Sequence, residues 1–163
     1  MKFTDAKWFL KDKKVSMSLK RRHFNSIIIP TLAYGSEVWA CTKVDLVKLR
    51  SCQRKMERKM VGVALWQKKR SSWIRSVTKV KDIIMHITTL KFNHARKILA
   101  RKEEDRWDTR LLDWTPQGKR NVGRPRMRWE DDLRKSCGPN WTRDGENIDW
   151  KEAIETSIER NAL

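Results

Sequence analysis

Glycine and proline, the residues that most readily end or kink a helix, are few in this sequence and mostly bunched. Pro116, Gly118, Gly123 and Pro125 fall together, and Gly138-Pro139 follows shortly after. Upstream of that cluster, apolar side chains recur at three- and four-residue steps rather than in alternation, which specifies helices rather than strands. The expected fold is therefore all-α: an irregular bundle of amphipathic helices with a basic Gly/Pro loop near residues 115–128. The chain divides into a helical region over 1–114, the loop over 115–128, and short C-terminal helices over 129–163.

Helical spacing assigns an interior to each segment. From about Leu19 to Trp39 one broad apolar face includes Phe24, Ile27, Ile28, Leu32 and Trp39, and Pro30 is expected to kink or split that helix. Thr42-x-x-Asp45 resembles a capping box and should open a second helix, with Leu49, Cys52, Met56, Met60 and Val63 facing inward. Arg50, Arg54 and Arg58 form a ridge beside Glu57, read as a solvated face in preference to a contact surface. A basic break over Gln67–Ser72 should close in a helix cap at Ser71 or Ser72, followed by a short helix around Trp73 to Val77. A longer helix is expected from about Lys79 to Arg101, burying Val80, Ile83, Ile84, Ile87, Leu90 and Ile98, with His94 packed on the same side. Glu103, Glu104 and Asp105 favour the start of another helix, on which Trp107, Leu111 and Trp114 line the inner face. Gly145, placed in a C-terminal helix, should weaken it by up to about 1 kcal/mol relative to alanine.

The formal net charge of +18 is the strongest global signal. A folded domain so basic repels itself unless a polyanion neutralises it, and nucleic acid is the expected partner. Nine tryptophans and 39% hydrophobic residues argue against disorder. Cys41, Cys52 and Cys137 are an odd number without C-x-x-C spacing, which fits a reducing interior rather than a disulfide framework. His23, His86 and His94 are too scattered to form a zinc site, so no metal and no cofactor is assigned. No apolar run has the length of a membrane span or a signal peptide. The expected location is intracellular, in a nuclear or cytoplasmic ribonucleoprotein.

The best contact residues are Lys119, Arg120, Arg124, Arg126 and Arg128 of the Gly/Pro loop, with Lys68, Lys69 and Arg70 as a second basic run. Arginine offers a planar fork that matches phosphate oxygens, and a loop pinned by Pro125 loses less entropy on binding. Trp129 adjoins the first cluster; Trp66, Trp73 and Trp129 are the indoles placed to stack on bases, whereas Trp39, Trp107 and Trp114 read as core. A minor-groove AT-hook built on Gly123-Arg124-Pro125 is the less favoured alternative, because Val122, Met127 and Trp129 wedge it into a structured context. Glu130-Asp131-Asp132 suggests metal-binding aspartates, but neither a strand pattern nor a second carboxylate cluster accompanies them. Three acids opening a helix are explained by its positive end. No catalytic residue is assigned. The alternative function, from another class, is a helical interaction module whose basic faces dock onto an acidic protein.

Several words occur in order along the chain. They are Phe24-Asn25, Pro30-x-Leu32-x-Tyr34-Gly35-x-Glu37-x-Trp39, and Gln53-Arg54-x-Met56-Glu57-Arg58-x-Met60-x-Gly62-Val63. Arg106-Trp107, Asp113-Trp114-x-Pro116, Lys119-Arg120-x-Val122-Gly123-Arg124-Pro125-x-x-Arg128-Trp129-x-Asp131-Asp132 and Gly138-Pro139-x-Trp141 follow. Together they resemble the region after the polymerase palm in the endonuclease–reverse transcriptase of LINE-type, non-LTR retrotransposons. The resemblance implies a thumb and post-thumb helical region, with residues 1–114 thumb-like and both catalytic modules upstream of Met1. It also implies RNA and DNA partners as template–primer, held with weak sequence preference, and the rest of the reverse transcriptase as a protein partner.

Overall fold

The computed structural model describes residues 8–104, 106–114, 118, 122–123 and 127–162. These are helices and turns with no strand among them, so the all-α expectation holds. They fall into two compact units, one within Met1–Tyr34 and Lys43–His86, the other within Gly35–Thr42 and Ile87–Leu163.

In the first unit α1 (Met17–His23) starts at Ser16, whose hydroxyl accepts the Leu19 N–H at 3.4 Å. It runs through a wider π segment, Phe24–Ile28, into α2 (Ile29–Leu32). Pro30 is the cause: its ring lacks an N–H and cannot sit against the carbonyl four residues back, so the preceding turn widens and Ile29 N–H bonds to Phe24 O. The extra residue shifts the register, which is why the neighbours Ile28 and Ile29 are both buried. It also corrects the expected face, since Ile27, and Leu19 one helix upstream, are exposed.

Helix α3 (Lys43–Val61) begins directly after Thr42, where the capping pattern placed it. Its end is a Schellman turn: Gly62 takes a left-handed φ of 76° and Val63 N–H reaches Arg58 O at 3.0 Å. Met56 and Met60 are buried as expected, but Cys52 is exposed and Val63 lies beyond the helix. The interior positions between them are polar, namely Gln53 and Glu57. Helix α4 (Ser71–Thr78) has Arg70 at its N-cap without a side-chain bond, so Ser71 and Ser72 lie inside the first turn rather than capping it.

Helix α5 (Ile83–Leu99) starts four residues later than expected because Lys79 ends α4 in the left-handed region, at φ 49°. The first turn has two partners for its otherwise unpaired N–H groups. Gln53 Oε1 accepts from Ile83 at 2.8 Å, and Asp82 Oδ1 accepts from Ile84 at 2.9 Å. Basic residues close other helix ends: Lys20 Nζ donates to Met60 O at 3.3 Å, and Arg21 Nε donates to Thr78 O at 2.6 Å. Part of the positive charge therefore serves the fold.

The second unit is built from most of α5, α6 (Trp107–Asp113), α7 (Asp131–Cys137) and α8 (Trp150–Ala162). Phe92, Ala95, Leu133, Trp141 and Ala153 form its core, with Leu99, Leu112, Trp129, Ile148 and Trp150 packed around them. Burial of the Cys137 thiol pushes its pKa up to about 11, and Cys41, Cys52 and Cys137 form no disulfide. Asp149 caps α8, accepting from Lys151 N and Glu152 N at 2.9 and 3.2 Å.

Two expectations are overturned here. Trp107, Leu111 and Trp114 are exposed by 77%, 63% and 65%. Thr109 and Leu112, on the opposite side of α6, face the core instead. Both stripes have helical spacing, so periodicity alone could not choose between them. Gly145, for its part, opens a 3₁₀ turn (Gly145–Asn147) rather than weakening a helix, and a Cβ there would stand 2.7 Å from Leu99 Cδ1. Gly145→Ala is thus expected to destabilise by about 1 kcal/mol, opposite to the propensity argument, as read by urea denaturation.

Candidate nucleic-acid interface

The loop that joins α3 to α4 lies in the acid-free stretch of the sequence that carries the most lysines and arginines. Between Glu57 and Asp82 the chain carries eight Lys and Arg and not one Asp or Glu. The two flanking acids are turned to internal use. Glu57 Oε1 accepts from Arg54 Nη1 at 2.6 Å, and Asp82 Oδ2 lies 2.9 Å from Arg75 Nη2 and 3.4 Å from Arg54 Nη2. Arg54 is thereby drawn inward, which corrects the reading of its ridge as simply solvated. Burial holds the Glu57 carboxyl above the ordinary glutamate value of 4.5, with Arg54 and Arg75 opposing that shift.

The loop itself is a small ordered structure. A 3₁₀ turn, Leu65–Gln67, is closed by Gln67 Oε1, which accepts the Ala64 N–H at 3.2 Å. Lys68 follows at φ 48°, a left-handed conformation that costs a residue with a Cβ about 1 kcal/mol or more. Arg58 Nη1 reaches across to Lys69 O at 3.3 Å. On this frame Lys68, Lys69 and Arg70 are all exposed, as a phosphate grip requires. Lys69 Nζ lies 5.7 Å from the centre of the Trp73 ring, while Leu65 and Trp66 project with 72% and 78% exposure.

Of the other expected contact residues, Lys119, Arg120, Arg124 and Arg126 lie outside the described residues. Arg128 is exposed, and its side chain comes to 3.9 Å from Glu130. Trp129 is half-buried and braced: its indole N–H donates to Glu37 O at 2.6 Å, and its ring packs edge-on against His94 and Trp141. Lys91 Nζ lies 5.8 Å from that ring and 2.8 Å from Asp132 Oδ2.

The three acids after Trp129 each have a structural partner. Glu130 pairs with Arg134 at 3.1 Å, Asp131 Oδ2 accepts the Arg128 N–H at 2.7 Å, and Asp132 holds Lys91. Asp131 and Asp132 occupy the first turn of α7, where the helix dipole favours them. No group of three or more His, Cys, Asp or Glu among the described residues is placed to hold a metal ion. A cleft of about 300 Å³ in the second unit is lined by Asp144, Asp149 and Glu152, the wrong sign for phosphate. None of the described helices is long and apolar enough to cross a membrane.

Over 129 residues, 76% of its length, the chain is 36% identical to a Caenorhabditis elegans protein whose name calls it uncharacterized and transposon-derived. That similarity supports a transposon origin. The chain spans 44% of the length of that relative. No protein-family model matches the chain, and no solved structure matches it.

Proposed function

We propose that this chain is the thumb and post-thumb part of a LINE-type retrotransposon reverse transcriptase, without catalytic activity of its own, and that it holds template–primer nucleic acid mainly through phosphate contacts. The observation that carries the reading is the exposed Lys68-Lys69-Arg70 run on an ordered turn, inside a segment with no acidic residue. Phosphate contacts give affinity without sequence preference, which suits a region that must follow any template. The transposon-derived relative supports a transposon origin, and the ordered run of family words is what favours the LINE type within it. Lys119, Arg120, Arg124, Arg126 and Arg128 belong to the same proposal as a second set of phosphate contacts, with Trp129 beside them in sequence as a further contact.

The test is a salt titration of binding to an RNA–DNA hybrid, comparing the natural chain with a Lys68→Ala, Lys69→Ala, Arg70→Ala variant. Three lost phosphate contacts should flatten the log–log slope by about 2.7 while the far-ultraviolet spectrum stays helical. A variant with an unchanged slope removes this loop from the interface. The same comparison with Arg124, Arg126 and Arg128 replaced by alanine apportions the remainder to the Gly/Pro loop.

A further inference from the structure

We infer that Trp66 is a stacking platform for an unpaired nucleobase, so that the α3–α4 loop reads the single-stranded part of a nucleic acid and not its phosphates alone. The inference rests on the phosphate-binding reading and adds a base-recognition site to it.

Four observations converge on Trp66. Its ring is 78% exposed although the loop around it is ordered by the Gln67–Ala64 bond and the left-handed Lys68. Among the described residues no ring or cation is stacked on it, whereas Trp73 already has the Lys69 ammonium near its face. Cations adjoin it in sequence, with Lys68, Lys69 and Arg70 following two residues on, and Arg58 is tied to the same loop's backbone at Lys69 O. The segment from Arg58 to Lys81 contains no acid, so none of its own side chains would repel a phosphate that follows the stacked base.

An aromatic face beside lysines and arginines suits a single strand, because every base has a π-face and the strand's charge runs alongside it. A closed duplex hides those faces within the stack, so only an unpaired base or a frayed end can use the site. Trp107, which is equally exposed, lacks this combination. Trp107 carries Arg110 at 5.4 Å from its ring centre, and the neighbouring Arg106 is already shared between Glu104 at 3.6 Å and Asp108 at 3.5 Å.

The test uses the full chain and pairs of short strands with identical phosphate counts, one carrying bases and one abasic throughout. Oligothymidylate and oligouridylate versions separate DNA from RNA. The natural chain should bind the base-bearing strand about tenfold more tightly than the abasic one. Trp66→Ala should bring both to the abasic affinity with an unchanged salt slope, and Trp107→Ala should keep the preference. A natural chain that binds both strands equally overturns the stacking site while leaving the phosphate grip standing. A preference that survives Trp66→Ala also overturns it, assigning stacking to another ring. Failure to bind either strand at low salt defeats the underlying reading instead. Equally tight binding of polyglutamate, insensitive to Trp66→Ala, would make the surface one for acidic peptides and overturn the inference. Because Trp66 is exposed, its replacement leaves the core intact.

Discussion

Asp132→Ala is expected to cost about 2–4 kcal/mol of folding stability. Lys91 is 5% exposed and lies against the Trp129 ring, with Asp132 2.8 Å away. Truncating the carboxylate would leave an ammonium enclosed by Trp129 without its counter-charge, the costliest way to break such a pair. The estimate sits below the full range for buried pairs because the Asp132 side chain keeps 24% of its surface in water. Asp131→Ala should cost only about 1 kcal/mol, since it removes one acceptor for the Arg128 N–H. Adding Lys91→Met to Asp132→Ala should recover most of the loss by replacing the stranded charge with an apolar chain of similar length. Urea denaturation of the three variants measures the differences. Adjacent aspartates kept for a metal ion would repel each other, so removing one would leave stability unchanged or raise it. That outcome would contradict the structural role assigned here.

Gln53→Ala should be comparably severe, at about 2–4 kcal/mol. The side chain is fully buried and bonded at both ends to one stretch of backbone: Nε2 donates to Lys81 O at 2.8 Å, and Oε1 accepts from Ile83 N at 2.8 Å. Alanine would strand one buried donor and one carbonyl, leave a cavity, and unpin the start of α5 from α3. Gln53→Glu should not rescue it. Glutamate supplies no donor to Lys81 O at neutral pH and sets a second carboxylate close to the already buried Glu57. Amide exchange at Ile83 provides the local readout, and protection equal to that of the natural chain would refute the role of Gln53.

How much of this was legible in the sequence depends on which signal decided each element. The helices were, because they follow apolar periodicity and the placement of Thr42 and Gly138. Their faces were less so. Gln53 and Glu57 look like surface residues until the backbone at 81–83 and the Arg54 guanidinium come to meet them, a long-range event that a local pattern does not record. Trp107, Leu111 and Trp114 fit a buried stripe as well as Thr109 and Leu112 do, and only the position of the second unit's core selects the latter pair. Pro30 signalled a disturbance, but whether it would break, kink or widen the helix depended on neighbours that keep the run helical.

The charge shows the same division. A total of +18 suggested a polyanion partner, yet Lys20, Arg21, Arg54 and Lys91 are engaged with helix ends or with the chain's own carboxylates. What net charge could not supply is the distinction between cations that hold the fold together and those, such as Lys68, Lys69 and Arg70, left facing water. The acid-free stretch from Arg58 to Lys81 was in plain view, and it marks the candidate interface better than the total does.

The most direct measurement is the affinity of the natural chain for an RNA–DNA hybrid at 50 and 200 mM salt, with circular dichroism confirming the helical fold at both. If about six phosphates are held, the log–log slope is about −5 and affinity falls roughly a thousandfold across that interval. A well-folded chain that ignores the hybrid at 50 mM salt, or binds it with no salt dependence, would contradict the proposal that these exposed cations grip nucleic acid.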